Sequence, residues 1–124
     1  MLLHDFYKII SLEKTAESKY LAMILINEEH EVFQGHFPGN PIMPGVCMMQ
    51  IIKELTEQIT KSSLFMQSLS NVKFMALINP FNTPELRLEL DLVTTDEGLI
   101  KVKNISYFND TVALKLSSVY RKIQ

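Results

Sequence analysis

Four positions in the first half of the chain are suited to handling protons and developing charge: His36, Gly45, Gln50 and Glu54. A histidine with its ordinary pKa near 6.5 can both accept and return a proton at neutral pH. A lone histidine is more commonly a surface or core residue. His36, however, sits in GHFPGNPIMPG, where three glycines and three prolines in eleven positions constrain the chain just ahead of an apolar helix. A helix beginning at Gly45 offers unpaired N–H groups and the positive end of its dipole to an oxygen gaining charge. The alternative is a glycine needed only for the tight turn into the helix. Gln50 can hold a hydroxyl or a water by hydrogen bonds but cannot deliver a proton as a carboxylic acid does. Glu54 can, and it shares the helix face of Gln50, though one turn, about 5.4 Å, further along. Its other reading is a solvated carboxylate near Lys53 and Lys61.

The helix must hold three of these four. Pro44 fits its first position, since its φ is already helical and its missing N–H has no partner to lose there. Val46, Cys47, Met48, Met49, Ile51 and Ile52 then put apolar groups on every side of the first two turns, which predicts burial all round. Gln50 is the polar exception. An amide buried without partners costs about 1–3 kcal/mol, so it must find hydrogen bonds or face a polar cavity. Beyond Ile52 the pattern turns amphipathic, and this half is expected to emerge into solvent.

The remaining elements follow from periodicity. Leu2, Leu3, Phe6, Ile9 and Ile10 fall at helical spacing and predict a short amphipathic helix over residues 2–10, with a polar connection over 11–18. Tyr20 to Ile26 is a buried strand and Asn27 to Glu31 a charged turn. After a loop at Thr60 to Ser63, a strand is expected from Leu69 to Ile78. Leu86, Leu88, Leu90 and Leu92 alternate with Arg87, Glu89 and Asp91, a strand with one wet face. Gly98 suits a hairpin turn. In the return strand, Ile100 and Val102 share one face but Ile105 and Tyr107 the other, which predicts a bulge near Lys103 and Asn104. Asn109 and Asp110 turn the chain into a last strand carrying Val112, Leu114 and Leu116.

The run HFPGNPIMPGV, His36 to Val46, followed by a helix, resembles the signature of the hot-dog-fold beta-hydroxyacyl-(acyl carrier protein) dehydratases. The resemblance implies an α+β fold, a single hot-dog domain over residues 1–124 in which a five-stranded antiparallel sheet wraps a central buried helix. It implies loss of water from a 3-hydroxyacyl thioester to give a trans-2-enoyl thioester, in fatty acid or related acyl-chain synthesis. That reaction needs a base for the carbon beside the carbonyl, electrophilic help for the enolate, and an acid for the departing hydroxyl. By the resemblance His36 is catalytic, the Gly45 N–H polarises the thioester carbonyl, and Phe37, Pro44, Val46 and Met49 border the acyl chain. The family carries a glutamate or aspartate fourteen residues after the histidine, and here that position is Gln50. Three arrangements are open: His36 serves as both base and acid with Gln50 orienting the hydroxyl, the chain is a weakened partner of another subunit, or Glu54 substitutes.

Two other functions compete. A non-catalytic hot-dog subunit, binding acyl chains beside an active paralogue, would account for Gln50 but has no use for His36. A hot-dog acyl thioesterase would need Glu54 near the thioester, and the proline-rich loop argues against it. Met43, Met48, Met49 and Met75 are either the walls of an acyl tunnel or core filling. Cys47 reads as packing and Asn40 as a turn residue.

Length and charge narrow the rest. At 124 residues one domain is expected, and a net charge of −2 leaves no electrostatic footprint for nucleic acid. No apolar run is long enough to span a bilayer and no secretory signal is visible. A single cysteine suits a reducing compartment, so a cytoplasmic protein without membrane attachment is expected. His4 and His30 have no companions at metal-ligand spacing, so no metal is expected, and the chemistry requires no cofactor. The expected partners are an acyl thioester on acyl carrier protein and a second copy of the chain, in a homodimer or higher oligomer of dimers, since an isolated hot-dog sheet leaves an edge strand and half a site exposed. In the family the acidic residue comes from the facing subunit, so His36 of one chain would meet Gln50 of the other. Lys73, Arg121 and Lys122 either meet the acidic carrier or are ordinary surface cations.

Overall fold

Antiparallel pairing organises the chain from Tyr7 onward. The computed structural model describes residues 5–33 and 42–123. Strands β1 (Tyr7–Lys14) and β2 (Lys19–Ile26) precede the helix α1 (Gly45–Thr60), and β3 (Leu64–Phe74), β4 (Glu85–Thr94), β5 (Ile100–Phe108) and β6 (Thr111–Lys122) follow it. They form one six-stranded sheet in the order β1-β2-β4-β5-β6-β3, so β1 and β3 are its edges. Among the described residues no helix is long and apolar enough to cross a membrane.

One face of this sheet is the core. Ala22, Ile24, Leu86, Leu88, Leu90, Ile100, Val102, Leu114 and Tyr120 are buried on it, and Met48, Ile51, Ile52 and Leu55 of α1 are buried against them. This is the hot-dog arrangement, a sheet around a helix, with six strands in place of the expected five. The sixth is β1. The apolar residues near the N-terminus, read as an amphipathic helix, form a strand paired with β2, and the expected connection over 11–18 is half strand. A register shift between Ile9 and Ser11 breaks the period-2 signal, which is why helical spacing fitted the same residues as well.

Three further expectations are corrected. β3 begins at Leu64, five residues before the expected Leu69, and ends at Phe74. The chain from Met75 to Ile78 is held instead by single bonds, with Met75 N–H donating to the Ala113 carbonyl at 2.8 Å and Met43 N–H to the Ile78 carbonyl at 2.8 Å. The expected bulge near Lys103 and Asn104 is absent, and the register shift falls between Ser106 and Tyr107. Asn104 and Ser106 simply continue the buried face. They are satisfied there because Ser106 Oγ donates to Asn104 Oδ1 at 2.9 Å and Asn104 Nδ2 donates to the Glu89 carbonyl at 3.2 Å. Polar residues in core positions therefore imitated a change of phase. Finally, Pro44 is the residue before the first helical turn, with ψ at 139°, and its carbonyl accepts from Cys47 N–H at 3.1 Å. The turns at Gly98 (φ 84°) and Asn109 (φ 52°) stand where the sequence places them.

Candidate active site

The candidate site lies along α1, from Gly45 at its N-terminus to Glu54. His36 and Phe37, with Asn40 of the same loop, lie outside the described residues. The structure therefore speaks to Gly45, Pro44, Val46, Met49, Gln50 and Glu54.

At the N-terminus of α1 a cavity of about 570 Å³ opens between the helix and the segment after β3, a size typical of small-ligand sites. Gly45, Val46 and Met49 border it, as do Phe74, Leu77 and Leu114. Met43, Met48 and Met75 also reach it, so all four methionines singled out in the sequence come together. Met43 and Met48 are buried and serve the core at the same time. Pro44 is half-buried behind this wall rather than on it. Val46 corrects the expectation of burial all round, being 72% exposed at the cavity rim. The first helical turn leaves the Gly45 and Val46 N–H groups without intrahelical partners, so the cavity combines apolar walls with hydrogen-bond donors.

Gly45 also has a packing reason. A Cβ added there would lie 2.7 Å from Cζ of Phe74. That ring is 58% exposed, so solvent is available on one side for it to move into. Gly45→Ala is therefore expected to shift the ring and narrow the cavity while leaving the thermal midpoint within about 5 °C. Titration with an environment-sensitive apolar dye checks it: binding should weaken several-fold, and unchanged binding would show that the ring does not border the occupied space.

One turn further on, Gln50 does not face open solvent alone. Its Nε2 donates to Glu54 Oε2 at 2.8 Å, and the other oxygen of Glu54 accepts from the Tyr7 hydroxyl at 2.8 Å. Glu54 is 5% exposed, which overturns the solvated reading, and Leu55 and Thr56 are buried with it, so the helix does not emerge after Ile52. Lys53 pairs with Glu57 instead, at 3.7 Å. Burial pushes the Tyr7 phenol far above its ordinary value, with the Glu54 carboxylate adding to the shift through its hydrogen bond and charge, and Glu57 through its charge. Tyr7 therefore stays protonated and a donor at any pH at which the protein works. Burial likewise pushes the Cys47 thiol up, in keeping with a packing role.

Tyr7 and Phe74 are the site residues that sequence reading missed. Tyr7 lay in a segment read as helix and Phe74 inside a misplaced strand; no motif marks either one. Glu54 did carry a signal, its i,i+4 spacing from Gln50. The proposed carrier cations are not brought together: Phe65 pairs with Arg121 at one end of β3 and Lys73 pairs with Lys115 near the other, eight residues away.

The comparisons with known proteins bear on the family and the fold. A family model described as ApeI-like, ApeI dehydratase, matches residues 12–107. A 3-hydroxyacyl-(acyl-carrier-protein) dehydratase FabZ from Acetivibrio thermocellus is 32% identical over 114 residues, covering 86% of this chain and 75% of the relative. The FabZ of Caulobacter sp. (strain K31) is 30% identical over 99 residues, 73% of this chain, and the chain spans 58% of the length of that relative. Among solved structures, the dehydratase heterocomplex ApeI:P from Xenorhabdus doucetiae superposes with a TM-score of 0.71 at 19% identity, covering 93% of this chain and 97% of that one. A thioesterase from Pseudomonas aeruginosa superposes with a TM-score of 0.63 at 9% identity, covering 96% and 81%. These last two likenesses concern the fold alone. With its family model matched from residue 12 to residue 107, the chain belongs to the ApeI-like family of dehydratases.

Proposed function

We propose that the protein dehydrates a 3-hydroxyacyl thioester to the trans-2-enoyl thioester, with His36 as the single proton carrier. The observation that carries this reading is the helix N-terminus opening, at Gly45, onto an apolar cavity, immediately after a motif whose histidine supplies the base. The acyl chain occupies the apolar walls and the thioester oxygen meets the Gly45 N–H. A neutral imidazole nitrogen of His36 removes a proton from C2 as the C2=C3 double bond forms and the C3–O bond breaks. The same imidazolium returns that proton to the departing hydroxyl, which leaves as water while Gln50 holds it. Protons balance, and no redox partner is involved.

The substrate is proposed to be carried on acyl carrier protein, as the names of the FabZ relatives indicate for those proteins. A surface feature supports an acidic carrier. Lys73 and Lys115 are exposed and stand directly opposite each other in the β3–β6 register, one residue along from Phe74 and Leu114 and so on the other face of the sheet. Like charges so placed cost stability, and an acidic partner relieves them. A second copy of the chain is proposed to cover the exposed Val46, Phe74, Met75 and Leu77 and to bring its own Gln50 to His36. The working compartment is proposed to be the cytoplasm, where Cys47 stays a thiol.

The reverse reaction tests the reading. The purified protein, given a trans-2-enoyl thioester on coenzyme A or on carrier protein, is expected to consume the enoyl absorbance and form the 3-hydroxyacyl product. No turnover with either carrier would leave the binding subunit as the better account.

A further inference from the structure

We propose that Glu54 and Tyr7 set the polarity of Gln50, so that α1 offers the leaving hydroxyl a hydrogen-bond acceptor. The inference rests on the dehydratase reading above and deepens it, giving a role to a buried carboxylate and a tyrosine that the reaction does not otherwise use.

Each oxygen of the Glu54 carboxyl accepts a hydrogen bond, so the group set against each is a donor. Tyr7 meets Oε1 with its hydroxyl and Gln50 meets Oε2 at 2.8 Å. The end of Gln50 that faces Glu54 is therefore the amine, because turning the amide over would set a carbonyl oxygen against a carboxylate oxygen. Gln50 Oε1 is then on the branch pointing away from Glu54, and among the described residues it has no hydrogen-bond partner. Tyr7 is 9% exposed and anchored in β1, and Glu54 is 5% exposed on α1, so the two hold the amide from a buried base. Glu57, Gln58 and Lys61 lie around the same carboxylate on its solvent side, bordering a separate cavity with Tyr7.

The orientation matters to the step in which the C3–O bond breaks. The departing oxygen begins with one O–H and ends, as water, with two. An acceptor beside it gains as the proton arrives, whereas an amide N–H in the same place would compete for the lone pair that the proton needs. Glutamine can present either end. The carboxylate one turn below decides which. Glu54 is thus a positioning residue for Gln50, and Tyr7 for Glu54.

Two measurements on the intact protein, wild type and Glu54→Gln, test this. By nitrogen-15 NMR, the side-chain amide of Gln50, assigned by its loss in Gln50→Ala, is expected to show one proton shifted downfield and protected from exchange. Glu54→Gln should abolish that signature. In the enoyl hydration assay the same variant should lose ~10- to 100-fold in kcat with KM little changed, as expected when only the transition state is affected. Tyr7→Phe, which keeps the bond between Gln50 and Glu54, should retain the signature and lose less. A Gln50 amide insensitive to Glu54→Gln overturns the network whatever the turnover. A lost signature with full kcat overturns the positioning role. A wild-type signature without turnover overturns the dehydratase reading itself, so the two failures are distinguishable.

Discussion

His36→Ala is expected to lower the rate of enoyl thioester hydration by at least ~10³-fold, because general acid and base catalysis each contribute roughly 10²- to 10⁴-fold and here one side chain supplies both. KM should stay close to the wild-type value, since the apolar cavity and the Gly45 N–H, which are proposed to bind the substrate, are untouched. The comparison is made on kcat with the same thioester, after circular dichroism has shown the fold intact. Residual activity within tenfold of wild type would move the proton chemistry to another group, and a single-histidine mechanism would be wrong.

The second large effect concerns the position at which the family carries an acid. Gln50→Glu looks like a restoration, yet it is expected to destabilise the protein by about 2–3 kcal/mol at neutral pH, or roughly 10 °C in thermal midpoint. The variant loses the 2.8 Å hydrogen bond to the Glu54 carboxyl and sets a second carboxyl group against a buried one. Two such groups relieve their repulsion by sharing a proton. The folded variant then binds a proton that the unfolded chain releases above about pH 4.3. Its deficit relative to wild type therefore grows as pH rises through that region and shrinks as pH falls. Gln50→Glu combined with Glu54→Gln exchanges the two ends of the bond and should recover most of the stability. Thermal melts of the three proteins from pH 5 to pH 8 decide the matter. A single variant as stable as wild type throughout would mean that Glu54 and residue 50 do not share a pocket.

Much of this fold was legible because its signals were local. The leucines of β4 alternate cleanly and pair as the alternation requires, and the glycines and prolines before Gly45 mark the start of α1. The errors share a physical cause, which is that polarity does not report burial when a partner lies far away in sequence. Glu54 looked solvated because Lys53 and Lys61 stand near it in the chain; Tyr7, which meets it in the core together with Gln50, is 47 residues away. Asn104 and Ser106 looked like a break in phase because the groups that satisfy them come from each other and from the backbone of β4. Within the candidate site, motif and spacing direct attention to His36, Gly45 and Gln50, of which the described residues include the last two. What they could not give was the second layer, since Tyr7 and Phe74 matter through contacts that only the assembled sheet creates.

The irregular edges of that sheet bear on how the protein behaves at high concentration. An outer strand with its hydrogen-bonding groups free is a template for stacking further chains into fibres. β1 has lost its even register between Ile9 and Ser11, and β3 breaks register twice, with Asn71 in a left-handed conformation at φ 53°. Neither edge offers a long flat run for endless addition, so a strand that docks on β3 can match it over short stretches only. Assembly through this edge is thereby limited to a partner shaped for it, and straightening β3 by removing residues at the break would be expected to make the protein polymerise.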